Sequence, residues 1–349
     1  MKIVVNGWFF EERNITGIGR YAHEILRALD KIVLPGQVVV LVPQICQDLP
    51  EYKNIVIEHY GKNRGFIWQQ TSLLEFLWKH KEARCLSLTS YLPLLCNRGY
   101  VVVYDISPIV NKGFYTKKFR AKTNWQIRLQ MRKRHTKIVT ISEFSASEIN
   151  RVFHVSQKRV ALVSCGWDHI GRIAANEEIF KQYEMLRKGE YFFSMASITP
   201  NKNFNWIIEV AQRNPDEIFA VAGKIDTEIF GLSEMRWPSN VIRVGYVSDS
   251  QAKALMQKAK AFIFPSFYEG FGIPPMEALC CGTKAIVSDI PCHREIYGNT
   301  VYYIDPVNPN VKLKHVLSNP VEDAEPLLKK YTWENAASQM AQTLQLDVR

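Results

Sequence analysis

No stretch of this chain is apolar for long enough to cross a bilayer. Its longest hydrophobic runs, such as 38–43, are strand-sized, far short of the ~20 residues a membrane helix needs. Met1-Lys2-Ile3-Val4-Val5 leads directly into a strand pattern, without the architecture of a secretion signal, so a cytoplasmic protein is expected. Paired cysteines are missing as well. The seven present, Cys46, Cys85, Cys96, Cys165, Cys280, Cys281 and Cys292, are odd in number and scattered, with no C-x-x-C. Disulfide frameworks and zinc sites need that spacing, so these residues are expected to be small buried hydrophobes. No D-x-D occurs and no His/Asp/Glu cluster has ligand spacing, so neither a metal nor another cofactor is expected. Low-complexity tracts and short-period repeats are also absent.

What is present describes a folded protein: 349 residues, enough for two domains, at 47% hydrophobic and 22% charged. The net charge of +10 points to an anionic partner: nucleic acid, an acidic membrane surface or phosphorylated ligands. Short β-branched runs recur at 2–6, 38–43, 55–59, 85–88, 100–105, 137–142 and 159–164. A second series follows at 191–197, 218–223, 241–247, 261–266, 284–289 and 301–305. Near-continuously apolar strands separated by helical patterns predict parallel sheets covered on both faces. Two such series predict two doubly wound Rossmann-like α/β domains. The break falls in the polar stretch 165–190, which contains a helical patch at 177–188. Thr332 is an expected N-cap for a final helix whose apolar stripe is Ala336, Met340 and Leu344.

In open α/β sheets ligands sit beyond the carboxyl ends of the strands, so the loops there carry the argument. The strongest of them runs Pro265-Ser266-Phe267-Tyr268-Glu269-Gly270-Phe271-Gly272-Ile273-Pro274-Pro275-Met276-Glu277. Gly270 and Gly272 let backbone amides approach a ligand closely, and the proline pair suits the first turn of a helix. Glu277, among apolar neighbours in that helix, can accept hydrogen bonds from a vicinal diol such as a ribose. Glu269 can do the same for the hydroxyls of a sugar. Either glutamate alone reads as a solvated or capping charge; the pair with glycines between does not. Lys202, in a loop after a strand, can stabilise developing negative charge. Gly17 and Gly19 form either a plain turn or a backbone nest for a phosphate.

This segment resembles the E-x7-E signature of retaining glycosyltransferases of the GT-B fold, in the large glycosyltransferase family 4. Other segments follow in order: Thr16-Gly17-Ile18-Gly19-Arg20-Tyr21, Thr140-Ile141-Ser142-Glu143-Phe144-Ser145, Pro200-Asn201-Lys202-Asn203, the strand 301–306 and Trp333-Glu334. The resemblance implies an acceptor-binding domain at 1–168, with the helix 332–349 packing back on it, and a donor-binding domain at 169–331, the two facing across a cleft. It implies that Glu277 holds the donor ribose, that Glu269 holds the transferred sugar and that Lys202 neutralises the leaving diphosphate. The catalytic set is then Glu269, Lys202 and Asp105. The donor-binding set is Gly17, Gly19, Ser197, Asn201, Lys202, Lys224, Glu269, Gly270, Phe271, Gly272, Ile273 and Glu277. Three departures stand out. Tyr104-Asp105 occupies the place of a histidine found in many relatives, with Asp105 the better candidate. Asn201 replaces an arginine. Lys224, and more weakly Arg294, are candidates to supply the missing cation.

Between positions 111 and 142 lie ten Lys or Arg residues and no Asp or Glu. Lys117, Lys118, Arg120, Lys122 and Arg128, with Trp125 interleaved, suit an anionic membrane surface and a membrane-borne acceptor. No helix-turn-helix, RNA-binding or zinc signature accompanies the charge, so nucleic acid is not expected. The implied function is hexose transfer, mannose-like, from a nucleotide-diphosphate sugar (GDP before UDP or dTDP) to a lipid-linked saccharide of a bacterial surface polysaccharide such as O-antigen. Alternatives are a nucleotide-sugar isomerase or epimerase of the same architecture, or a non-catalytic polyanion- or membrane-binding protein.

Overall fold

The computed structural model describes residues 2–11, 16–186, 189–224 and 236–349. Among the described residues thirteen strands form two sheets, and every strand pairing is parallel. The first sheet contains β1 (Ile3–Asn6), β2 (Val38–Val42), β3 (Val56–His59), β4 (Arg84–Ser87), β5 (Gly99–Val102), β6 (Thr136–Thr140) and β7 (Val160–Leu162), in the order β3-β2-β1-β4-β5-β6-β7. The second contains β8 (Tyr191–Met195), β9 (Ile218–Ala222), β10 (Val241–Gly245), β11 (Ala261–Phe264), β12 (Ala285–Ser288) and β13 (Tyr302–Ile304), in the order β10-β9-β8-β11-β12-β13. Central strands such as β1, β2 and β11 are buried along their whole length, whereas edge strand β3 is partly exposed throughout. That contrast is why the central runs are almost wholly apolar while β3 carries Glu58 and His59.

The chain divides into two compact units. Unit 1 comprises Met1–Ile106, Ala121–Cys165 and Trp333–Arg349; unit 2 comprises Ser107–Arg120 and Gly166–Thr332. The segment Ser107–Arg120, which lies within the expected N-terminal domain, therefore groups with unit 2. Of the expected helical patch 177–188, Ile179–Gln182 is helical and Glu184–Leu186 a 3-10 turn, while Arg187 and Lys188 lie outside the described residues.

In unit 1, helix α1 (Gly17–Ile32) starts at Thr16, whose side chain accepts a hydrogen bond from the Gly19 amide at 3.2 Å. Its buried face includes Tyr21, Ala22, Ile25, Leu26 and Leu29. Helix α2 (Lys117–Arg132), which belongs to unit 1 from Ala121 onward, ends on Arg159, which donates to the carbonyls of Met131, Lys133 and Thr136. In unit 2 the layers around the second sheet include α3 (Phe204–Arg213), α4 (Asp249–Lys258), α5 (Ile273–Cys280) and α6 (Pro291–Tyr297). The final helix α7 (Trp333–Leu344) belongs to unit 1 and packs on α1. Its expected stripe Ala336, Met340 and Leu344 is fully buried, and Trp333 meets Tyr21 edge-on at 5.8 Å. No described helix is long and apolar enough to cross a membrane.

Candidate active site

The strand order of the second sheet reverses between β8 and β11, and an open α/β sheet forms its ligand crevice at such a switch point. Both strands lead into the segments singled out above. After β8 comes a short turn at Pro200–Lys202, closed by Asn203 in a left-handed conformation (φ 55°). Each residue of that turn has a distinct task. The Asn201 amide donates to the Tyr268 carbonyl at 2.8 Å, and the Asn201 carbonyl accepts from the Phe267 amide at 2.9 Å. Asn203 donates to the carbonyls of Pro265 and Pro306. Two asparagines thus clamp the loop after β11, and the lysine between them is aimed at it.

Lys202 Nζ lies 2.6 Å from Glu269 Oε1 and 5.1 Å from the centre of the Phe264 ring. The Glu269 side chain is only 10% exposed and that of Lys202 24%. An ion pair this sheltered is screened far less than a surface pair. It therefore fixes two long side chains where a charged ligand would meet them.

Past Glu269, Gly272 has φ 94° and caps α5. A Cβ there would meet His293 Nε2 and Tyr297 Oη at 3.4 Å, an ordinary contact, so it is the left-handed conformation that calls for glycine. The underside of the loop rests on α6. Tyr297 donates to the Gly272 carbonyl, and Cys292 Sγ lies 3.8 Å from the Phe271 carbonyl. Burial pushes the Tyr297 hydroxyl well above its ordinary range, so it remains a donor. His293 is fully buried, and its Nδ1 lies 2.9 Å from the Ser288 carbonyl. A carbonyl only accepts, so Nδ1 carries the proton. Burial lowers the imidazole pKa, partly offset by Glu269, which keeps the ring neutral and Nε2 a bare acceptor toward the loop.

Glu277 lies in α5 between the fully buried Met276 and Ala278. One carboxylate oxygen, Oε1, is 2.7 Å from Nε2 of His169, a residue 2% exposed and 108 positions away. Nothing local in the sequence marks His169 as a partner of this helix; neither it nor His293 stands in a motif. Lys202, Asn201, Glu269, Gly270, Gly272, Ile273 and Glu277 all gather at the carboxyl ends of β8 and β11. Phe271 belongs to that loop, but its ring is buried, edge-on to Tyr331 at 5.2 Å. It packs the loop rather than facing a ligand. Ser197 and Lys224 are exposed on the loops after β8 and β9, joined through the Ile198 amide and the Lys224 carbonyl at 3.0 Å. Arg294 is engaged on its own side-chain neighbours. Asp289 holds it at two 2.6 Å contacts, and its guanidinium lies 3.6 Å above the Tyr303 ring.

Gly17, Gly19 and Asp105 belong to unit 1. Gly17 is exposed, whereas the Gly19 amide is engaged by the Thr16 cap. Tyr104 donates to the Leu88 carbonyl at 2.7 Å and packs edge-on against Tyr21, so its hydroxyl serves the fold. Asp105, beside it, is half-buried. Among the ten basic residues of the 111–142 stretch, Lys133 is buried and donates to the Pro93 carbonyl at 2.7 Å. Burial lowers its pKa, and it is not a surface cation. Among the described residues no group of three or more His, Cys, Asp or Glu converges to hold a metal ion.

Two parallel doubly wound units, each of them Rossmann-like, define the GT-B class of architecture. Residues 175–329 match the family described as glycosyl transferases group 1. The O-antigen chain mannosyltransferase B of Escherichia coli is 25% identical, over 93% of this chain and 94% of its own length. The O-antigen chain mannosyltransferase RfbU of Salmonella typhimurium is 28% identical, over 78% of this chain and 73% of its own. Among solved structures, a sucrose-phosphate synthase from Thermosynechococcus elongatus superposes with a TM-score of 0.71 at 14% identity, covering 98% of each chain. That last likeness concerns the fold alone.

Proposed function

We propose that this chain transfers a mannose-like hexose from a GDP-linked donor to the lipid-linked saccharide of a growing O-antigen, with retention of configuration and without a metal. The observation that carries the reading is the sheltered Lys202–Glu269 pair at the switch point, with Glu277 eight positions further on in α5. Glu269 faces the hydroxyls of the hexose, Lys202 the diphosphate and Glu277 the ribose. The bond from the anomeric carbon to the diphosphate breaks, and Lys202 stabilises the charge gained by the leaving oxygen. That oxygen takes the proton of the acceptor hydroxyl, which attacks on the same face. The protein contributes position and charge rather than a nucleophile. Mannose and O-antigen are favoured by the names of the two bacterial mannosyltransferase relatives. Incubation with GDP-mannose and a lipid-linked acceptor should give an α-linked product by NMR, at a rate unchanged by EDTA. A β-linked product, or abolition by the chelator, would overturn the mechanism.

The acceptor reading rests on α2. Lys118, Lys122, Trp125 and Arg132 share one helical face and are exposed, Trp125 at 53%. Lys117 and Arg128 flank them, also exposed, while Arg120 is half-buried. This face suits the anionic inner surface of the membrane that carries the acceptor. Each basic residue near such a surface contributes about 1 kcal/mol. Replacing Lys117, Lys118 and Lys122 together by glutamine should therefore weaken binding to phosphatidylglycerol vesicles by about 100-fold. Co-sedimentation measures it, and an unchanged partition would exclude this face.

A further inference from the structure

We propose that His169 is a positioning residue for the donor ribose: it occupies one oxygen of Glu277, so that the ligand meets a single, fixed acceptor oxygen. The inference rests on the reading of Glu277 as the ribose-binding residue and deepens it.

A vicinal diol is usually pictured against both oxygens of a carboxylate, one hydroxyl to each. Here Oε1 is already engaged by His169 Nε2 at 2.7 Å. Among the described residues His169 is the one side-chain hydrogen-bond partner of Glu277, which leaves Oε2 for a ligand. The pair is not of the exposed kind that contributes little, since the two side chains are 2% and 10% exposed. A carboxylate so sheltered needs a partner, and the partner then dictates its rotamer.

His169 is itself held from both sides. Before it, Trp167 donates to the Leu328 carbonyl at 2.8 Å, and Asp168 pairs with Arg172 at 3.0 Å. After it, Lys253 from α4 donates to the carbonyls of Ile170 at 3.0 Å and Ile173 at 2.7 Å. The backbone on either side is thus anchored before any ligand arrives, and the imidazole reaches α5 with little conformational freedom left to lose. Preorganisation of this kind raises affinity by removing ordering cost at the moment of binding.

The consequence is an asymmetry between the two ribose hydroxyls. One makes a charge-assisted hydrogen bond to Oε2 and the other does not meet Glu277. Titration calorimetry on the full chain tests this with GDP and UDP and the 2′-deoxy and 3′-deoxy forms of each. In the wild type, loss of one hydroxyl should weaken binding by about 10- to 100-fold, and loss of the other by less than about 3-fold. His169→Phe frees Glu277 to turn and opens Oε1, and should bring the two deoxy forms within about 3-fold of one another. His169→Gln, which keeps a side-chain N–H donor, should restore most of the discrimination. A purely structural histidine would instead weaken all forms equally and leave their ratios intact, which overturns the proposal. So does a wild type penalised equally for either hydroxyl, a test that needs no variant to fold. Glu277→Ala separates the levels. If it leaves the ribose preference untouched, the ribose reading of Glu277 fails and this inference with it. If Glu277→Ala abolishes the preference and His169→Phe does not, only the present inference fails.

Discussion

Lys202→Ala should lower kcat by about 10²- to 10³-fold, the cost of removing one preorganised group aimed at charge that develops in the transition state. Lys202 carries this expectation because its ammonium is placed by the fold and not by a flexible surface stem. The turn at Pro200–Lys202 is closed by a left-handed Asn203, and the flanking asparagines tie it to the loop after β11. The ground-state contact to Glu269 at 2.6 Å means that the lysine is already positioned when the donor arrives. Its loss should therefore appear in kcat more than in nucleotide affinity. Removing one partner of a sheltered pair also leaves a buried carboxylate uncompensated, which destabilises by an amount of order 3 kcal/mol. The double variant Lys202→Met, Glu269→Gln separates the two effects: it should recover the hydrogen-exchange protection of the β8 and β11 amides and not the activity. Steady-state kinetics with circular dichroism as a folding control provide the measurement. A loss of less than about 10-fold in kcat for a folded Lys202→Ala would remove Lys202 from the reaction.

The second large effect lies in unit 1. Trp333→Ala should destabilise that unit by about 3–5 kcal/mol, the usual cost of deleting a fully buried aromatic side chain. Trp333 is 1% exposed and begins α7, and it meets Tyr21 edge-on. Tyr21 in turn donates to the Val163 carbonyl at 3.2 Å and packs against Tyr104. The substitution therefore opens a cavity at the junction of α1, α7 and the end of β7. With two units, a single melting temperature is a poor measure. Hydrogen exchange is better: amides of α1 and β7 should lose about 10²- to 10⁴-fold of their protection, while those of β11 and α5 in unit 2 keep theirs. Equal loss in both units would contradict the assignment of this helix to unit 1.

Much of this architecture is legible along the chain, for a definite reason. A parallel strand buried on both faces has to be apolar along its length, and all thirteen expected runs correspond to the thirteen strands found. The last helix is legible for the same kind of reason, since Ala336, Met340 and Leu344 recur at helical spacing and are all buried. The basic stretch is only partly legible. Its charges can be counted, but no local rule distinguishes Lys133, buried on the Pro93 carbonyl, from its exposed neighbours. The partners of Arg294 are likewise invisible as such: Asp289 is simply an acid five positions earlier, and Tyr303 comes from the next strand.

The class of chemistry is written in local patterns along the chain. The glycine-punctuated E-x7-E loop, the Pro200–Asn203 turn and the alternation of apolar strands with helices are local patterns, and local sterics and burial suffice to produce them. Which side chains meet depends instead on the packing of distant elements. Sheet order, not sequence distance, brings the turn after β8 beside the loop after β11 and so pairs Lys202 with Glu269 across 67 positions. Packing of the segment around His169 against α5 then closes one oxygen of Glu277 and leaves the other for the ligand. Hydrogen bonds of that reach depend on how the elements pack, and no spacing along the chain encodes them.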